Sequence, residues 1–528
     1  MVASARPHRR VAARVSLVGD RLHFELPRVW PDQVGPFLAA LTDSLAEVPV
    51  AWFDARFLDG TLVVALDDGA STVAVVEAVE AAKIRAGIDG NPVQEHRHGA
   101  PVEDEPLLRA ASEVAADVFA FGATVTLRAL RVPPPPFEVD VEGLVALMQN
   151  VPGLRRTLAR WIGRASAEAT AGVAAAVVSA VNLNPLSPVV GCAYHSLRLS
   201  ELRARQEAWL AAEPDLYGPG GISSPSSEPA ERPVPRPPGL AERYAELTWV
   251  ASLGTFVATV PFTGSIERAL SVLASGAPKA ARLGREAFGS HLGRDLGRRG
   301  LVIMRPGSLR LLDQIDAAVV EGRLWKGADA ALLDRVAAAN NVELVVAGTP
   351  PGRGRRPPGI GPEGVRVVAA ADAAGEIRRL QVAGRVVATI GGPSFAALPN
   401  GDLPIGVAAA DGRSPDGSHV VCRAGLAEAA RVIAATGPAR QASRESAGLS
   451  LAGAVAGAVV AMAPPLGPRR PRVLMAIDAA ALAAVGNAVR HAHQATVAPL
   501  ANRRPAITDV AAVRLPASTA AGNRHGAT

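Results

Sequence analysis

Residues 312–321 read Leu312-Asp313-Gln314-Ile315-Asp316-Ala317-Ala318-Val319-Val320-Glu321, and Gly322-Arg323-Leu324-Trp325 follow. The short, continuous apolar part, Ile315-Asp316-Ala317-Ala318-Val319-Val320, predicts a buried strand. It ends on a carboxylate, Glu321. Outward from this strand the pattern alternates. Gly300-Leu301-Val302-Ile303-Met304 reads as a short strand before it, with a helical turn over 309–313 between the two. After it the sequence predicts a helix over 329–339, a strand over 342–347, a Gly/Arg/Pro-rich loop over 348–361, a helix over 370–382 and a strand over 385–390. Strands alternating with helices imply a parallel, three-layer α/β sheet, with ligands beyond the carboxyl ends of the strands.

The chain around this unit has 528 residues, room for about three domains. Hydrophobic residues make up 49% and charged residues 20%, which excludes disorder along the whole length. Aromatics are 4%, so the core is built from small side chains that each remove little area from water. Two cysteines, Cys192 and Cys422, exclude a disulfide scaffold, a disulfide partner and a multi-cysteine metal cage. The net charge of +6 comes from dispersed arginines and does not call for a nucleic-acid partner.

A mean hydropathy of +0.19 raises the membrane question. Apolar stretches run over 107–130, 170–192, 247–262, 449–466 and 473–489. A bilayer crossing needs ~20 apolar residues, and several of these have the length, although Asn182, Asn184, Pro185 and Pro188 interrupt one of them. Gly453 and Gly457 form a Gly-x-x-x-Gly face suited to close helix packing in lipid. Two readings stay open: helical hairpins in the cell membrane, or an alanine-rich bundle in a soluble, cytoplasmic interaction protein.

At the amino terminus, residues 1–14 lack the long apolar run of a secretory signal. Residues 15–90 then predict strand, helix, hairpin, helix. Residues 21–27 alternate like a half-buried strand, Val34, Phe37, Leu38, Leu41 and Leu45 recur at helical spacing, Asp59-Gly60 marks a hairpin turn, and Ser71 can cap a second helix. This ferredoxin-like α+β module resembles the heavy-metal-associated domain, which binds soft metals through a Cys-x-x-Cys loop. The corresponding loop here, Arg28-Val29-Trp30-Pro31, has no cysteine, so no metal is expected there. A helical, possibly membrane-associated region over 105–212 follows. A Pro/Gly/Ser-rich linker over 213–240 and a helical region over 241–300 lead to the α/β domain at 301–440. An apolar helical hairpin over 446–495 and a disordered tail over 496–528 complete the expected layout.

The approach to Glu321 resembles the phosphorylation site of the P-type cation-transporting ATPases. The similarity extends over about 15–495, and is strongest over 265–345, 370–440 and 446–490. In that family the strand runs into Asp-Lys-Thr-Gly-Thr, and Glu321-Gly322-Arg323-Leu324-Trp325 stands here instead. The family's Thr-Gly-Asp is matched by Ala347-Gly348-Thr349, and its Gly-Asp-Gly-x-Asn-Asp by Gly391-Gly392-Pro393-Ser394-Phe395-Ala396. Within the family the chain is most similar to the degenerate amino-terminal half that precedes a complete pump in long actinobacterial members.

The resemblance implies a haloacid-dehalogenase-like phosphorylation sheet. Only about twenty-five residues separate Glu321 from Gly348, so the nucleotide-binding insertion is missing. Phosphoryl transfer to a protein needs a carboxylate in line and oxygen ligands holding Mg²⁺ against the phosphate. Gly392 and Ala396 offer none, and Glu321 carries an extra methylene. No intact catalytic set is therefore expected among Glu321, Thr349, Gly392 and Ala396, and no cofactor; ATP and Mg²⁺ would enter only if the family activity survived. The resemblance further implies a membrane-associated protein partnered by a catalytic P-type ATPase. It places Pro278 and Asp478 as ion-pathway candidates, the second because a carboxylate in an apolar helix usually faces a polar path. His491 and His493 are two apart, fall on different helix faces and are poor evidence for metal binding.

Overall fold

The computed structural model describes residues 15–88, 104–131, 184–219, 222–223, 231–264, 269, 272–273, 276, 278–348, 359–360, 365–463 and 469–497. The expectations for 1–14, for the loop from Thr349 to residue 358, for most of 170–183 and for 498–528 fall outside these residues.

Alternating sequence near the amino terminus builds a five-stranded sheet. β1 (Val15–Val18) turns through Gly19, whose φ is +60°, into the antiparallel β2 (Arg21–Glu25). α1 (Pro31–Leu45) leads to the hairpin of β3 (Val50–Arg56) and β4 (Thr61–Leu66), and α2 (Thr72–Arg85) begins where Ser71 Oγ accepts from the Ala74 N–H. Phe37 and Leu41 of α1 and Val75 and Val79 of α2 pack on Phe24, Leu62 and Val64 of the sheet. Residues 21–25 are not half-buried as their alternation predicts. His23 points away from the helices and is buried against Trp209 and Tyr217, so both faces of β2 are covered.

Long helices follow: α3 (Asp104–Ala129), α4 (Leu186–Leu216), α5 (Leu240–Thr263) and α6 (Lys279–Arg298). The stretch expected to be a linker is anchored at three points. α4 continues through Pro214 to Leu216, β5 (Ile222–Ser223) pairs in parallel with β3, and Arg232 donates to Asp402 Oδ2 and to the Arg385 carbonyl. The first sheet thus has the order β1-β2-β4-β3-β5.

The strands of the second sheet are β6 (Val302–Ile303), β7 (Ala317–Glu321), β8 (Glu343–Ala347), β9 (Gly359–Ile360), β10 (Arg366–Val368), β11 (Val387–Gly391), β12 (Leu403–Val407) and β13 (Val420–Cys422). Four of them, β6, β7, β8 and β11, form where the pattern predicts; β10, β12 and β13 are additional, and β9 falls at the end of the stretch expected to be a loop, where it pairs with β10. The order is β6-β13-β12-β11-β7-β8-β10-β9, with the inner six strands parallel and an antiparallel strand at each edge. The continuous apolar run of β7 follows from burial on both faces. Ala318 and Val320 join a core with α7 (Gly327–Ala339) and α9 (Leu426–Ala434), whereas Ala317 and Val319 join Ile377 and Leu380 of α8 (Ala373–Val382). The single helix α7 connects β7 to β8.

Two helices close the described chain, α10 (Thr436–Met462) and α11 (Arg469–Val497). α10 starts ten residues before the expected hairpin because its polar first turns are buried: Ser443 Oγ donates to Asp313, and Arg440 reaches the Ile315 and Asn340 carbonyls. Gly453 allows α11 to approach closely, since a Cβ there would lie 2.7 Å from that of Ala480. α6 and α11 run parallel, with Lys279 beside Asp478 near their starts and Asp295 beside Thr496 near their ends. Among the described residues, four helices are long and apolar enough to cross a membrane, over 105–129, 240–263, 426–462 and 472–497. Phe119, Leu247, Val459 and Phe262 (88% exposed) leave apolar faces that no core of the described residues covers.

Candidate functional site

In the parallel part of the second sheet the chain order is β10-β8-β7-β11-β12-β13. The winding reverses between β7 and β11, so a crevice opens beyond their carboxyl ends, where open α/β sheets bind ligands. Glu321 ends β7 and Gly391 ends β11.

Glu321 is 7% exposed. Its Oε2 accepts from the Gly392 N–H at 2.8 Å, and its Oε1 accepts from Ser394 Oγ at 2.9 Å. Ser394 Oγ in turn accepts from Arg323 Nη1 at 3.2 Å. Both carboxylate oxygens are therefore engaged by groups of the β11 turn. A Cβ added at Gly392 would lie 3.4 Å from Glu321 Oε2, so an aspartate there would press a second carboxylate against the first. Ala396 is exposed on the same turn, and its methyl offers no ligand. Thr349 lies outside the described residues, but its neighbour Gly348 is placed with a φ of +101°.

Gly322, at the position of the family's lysine, packs backbone to backbone against that glycine. A Cβ on Gly322 would lie 2.7 Å from the Gly348 carbonyl carbon and oxygen, leaving no room for a side chain. The residues present do not fit Mg²⁺ and ATP. Among the described residues at these motif positions the crevice offers one carboxylate with both oxygens hydrogen-bonded, no second acidic ligand at Gly392 or Ala396, and no lysine at Gly322. Its contacts hold the β7 and β11 turns together.

The second candidate pair lies in the helices. Pro278 precedes α6, and Lys279 Nζ is 2.5 Å from Asp478 Oδ1. Asn184 Nδ2 donates to the other oxygen at 2.6 Å, and Asp478 is 3% exposed. The carboxylate thus faces a built-in ammonium and an amide. Sequence reasoning missed Lys279 and Asn184, although the signals were present: a lysine directly after Pro278, and an asparagine that breaks an apolar stretch.

A third cluster joins the two sheets. The hairpin turn of Leu58 and Asp59 docks on the loop before β13, where Asp416 Oδ2 and Oδ1 accept from the Leu58 and Asp59 N–H groups at 3.0 and 2.9 Å. Asp59 Oδ1 accepts from the Gly417 N–H at 3.1 Å. Burial and the adjacent Asp416 carboxylate push the Asp59 carboxyl up to about 8, outweighing the opposing pull of Arg56 and Arg305. Arg56 reaches the Leu216 carbonyl and Ser414 Oγ and lies over the Tyr217 ring at 4.4 Å. Trp209, Tyr217, Val63, Val302 and Val421 form the apolar part of this junction.

The chain is 27% identical over 363 residues to the "Probable cation-transporting ATPase I" of Mycobacterium tuberculosis, both in strain CDC 1551 / Oshkosh and in strain ATCC 25618 / H37Rv. It is 25% identical over 361 residues to the protein of the same name from Mycobacterium leprae (strain TN). Each match covers 60% of this chain and 22% of the relative, so the chain spans about a fifth of the length of the curated relatives it matches. No protein-family model matches the chain. The likeness to P-type cation-transporting ATPases drawn from the motif positions is borne out by these relatives.

Proposed function

We propose that this chain is a membrane-embedded, catalytically silent counterpart of the cation-transporting P-type ATPases, and that it serves a complete pump as a partner or regulatory half in the cell membrane. In this reading the second sheet is a haloacid-dehalogenase-like phosphorylation sheet without its nucleotide-binding insertion. The first is a ferredoxin-like, heavy-metal-associated-like docking module without thiolates.

The observation that carries the reading is the state of Glu321. An in-line nucleophile needs an unengaged oxygen and a metal to offset the charge that develops on the transferred phosphoryl group. Here both oxygens accept hydrogen bonds from the turn that carries the metal ligands in the family. A side chain at Gly322 is sterically blocked as well. A misplacement of ~1 Å alone can cost ~100-fold in rate, before any metal ligand is lost. The large apolar side chains that α3 and α5 leave uncovered among the described residues, on helices long enough to span, favour lipid over the soluble-bundle reading. The Lys279 ammonium on Asp478 favours a structural role for that carboxylate over an ion site.

The test uses membranes from cells expressing the full chain, washed with alkaline carbonate and incubated with radiolabelled ATP and Mg²⁺. The expected result is a chain that stays in the pellet and takes up no hydroxylamine-sensitive label. Label that disappears in Glu321→Gln overturns catalytic silence, and release by carbonate overturns membrane embedding. Co-expression with an intact P-type ATPase tests the partner role: stoichiometric copurification with a changed ATPase rate is expected, and an unbound chain with an unchanged rate refutes it.

A further inference from the structure

We infer that the carboxyl-terminal ends of α6 and α11 hold a site for one divalent transition metal ion of the zinc type, ligated by His291, Asp295 and His493. His291 and Asp295 are four residues apart on α6 and project from one face. α11 runs parallel to α6 and brings His493 to the same place, its ring centroid 6.2 Å from that of His291. One ligand atom from each of the three side chains lies within 4.8 Å of the others.

The spacing suits a small tetrahedral ion. Bonds of ~2.0–2.1 Å place neighbouring ligands about 3.3–3.4 Å apart, and His291 Nε2 is already 3.4 Å from Asp295 Oδ2. The exposed His493 can cover the remaining distance by turning its side chain. Three protein ligands leave a fourth position for water, and two imidazoles with one carboxylate favour zinc, cobalt or nickel over magnesium or calcium.

His291 is buried, and its Nε2 points into the cluster, 3.4 Å from Asp295 Oδ2 and 3.3 Å from Arg294 Nη2. Its Nδ1 has no hydrogen-bond partner among the described residues, so neither ring nitrogen is held by a short bond there. Thr496 Oγ1 donates to Asp295 Oδ2 at 3.1 Å and orients it, as an outer-shell partner does. Arg294 is the competing cation, 3.0 Å from Asp295 Oδ1; a bound ion displaces it from Nε2 and leaves it on that oxygen. His291 lies twelve residues along α6 from Lys279, ~18 Å, so this cluster is separate from the Asp478 site. The inference does not depend on the proposed function.

The test is a titration of the full chain, purified in detergent and stripped with chelator, with Co²⁺ followed in the visible spectrum and then displaced by Zn²⁺. The expected result is one saturable equivalent with the intense bands of four-coordinate cobalt. His493→Ala, at an exposed position, and Asp295→Asn each weaken binding by at least about 100-fold, more than the loss of an outer-shell partner. His491→Ala leaves binding intact, because that imidazole faces Glu445 on α10 at 2.9 Å. Arg294→Gln tightens binding by removing the competitor. Absence of saturable cobalt, unchanged affinity in His493→Ala, or weaker binding in Arg294→Gln overturns the site. Thermal unfolding of each variant without metal establishes that it is folded.

Discussion

Raising the pH should undock the first sheet from the second, through Asp59. In the docked state its carboxyl is pushed up to about 8 by burial and by Asp416, whereas the ordinary value is 3.8. The docked state therefore binds a proton that the undocked state releases. Stability from this group is fully present below pH 3.8 and is lost as the pH rises through about 8. Each pH unit well inside that window costs about 1.4 kcal/mol per proton, so going from pH 6 to 8, where the group is half titrated, removes about 2 kcal/mol from the junction. Arg56 and Arg305 act on Asp59 in the opposite sense, and Arg413 acts on the neighbouring Asp54. Asp59→Asn copies the protonated form: its amide oxygen still accepts from the Gly417 N–H, and its NH₂ group can donate to Asp416. The assay is thermal unfolding of the full chain in detergent across pH 6–9, followed by tryptophan fluorescence, since Trp209 is fully buried in the junction. The wild type should lose stability with a slope about one proton steeper than Asp59→Asn. Parallel pH profiles for the two proteins would refute the shared-proton account of the junction.

Three further outcomes follow from particular contacts. Gly322→Ala places a Cβ 2.7 Å from the Gly348 backbone and should destabilise by about 1–3 kcal/mol in chemical denaturation, whereas Arg323→Ala on the same turn should cost less than 1 kcal/mol. Glu201 holds Arg310 through two bonds of 2.7 and 2.8 Å and is 2% exposed, so Glu201→Ala should cost about 3–5 kcal/mol; a folded protein of unchanged melting temperature would contradict this. Lys279→Met should destabilise by a similar amount through the uncompensated Asp478, and Asp478→Asn in that background should recover part of the loss, as a double-mutant cycle will show.

β7, β8 and β11 of the second sheet were legible because each is a short apolar run between turn residues, and burial on both faces needs no alternation, whereas β9, β10 and β13, of two or three residues, carry too little pattern. Strand boundaries moved where polar groups found partners. β11 starts two residues late because Arg385 turns aside to Asp316 and Glu343, and the Val386 N–H donates to Asp316 Oδ1. β1 and β5, of four and two residues, carry too little pattern to be predicted, and β5 exists only because the edge of β3 is open to it. At the candidate site, Glu321 and Gly392 could be read from motif position, since the strand ends fix where they fall. Lys279 and Asn184 stand out in the sequence, but nothing in it joins them to Asp478, nor His291 to His493. Lys279 and Asp478 are 199 positions apart, and only the parallel packing of α6 on α11 makes them neighbours.

At the crevice, by contrast, the residues at the motif positions constrain one another directly. The motif comparison puts the family's lysine at Gly322 and its third-motif aspartate at Gly392. Here the space of the first is occupied by the Gly348 backbone, and the space of the second lies against Glu321 Oε2. A lysine at 322 needs the Gly348 turn to move, and an aspartate at 392 meets a buried carboxylate whose present donor is the 392 amide itself. The longer side chain of Glu321 is what reaches that amide and Ser394 Oγ together. Glu321 therefore braces the β11 turn against the end of β7 with both oxygens at once.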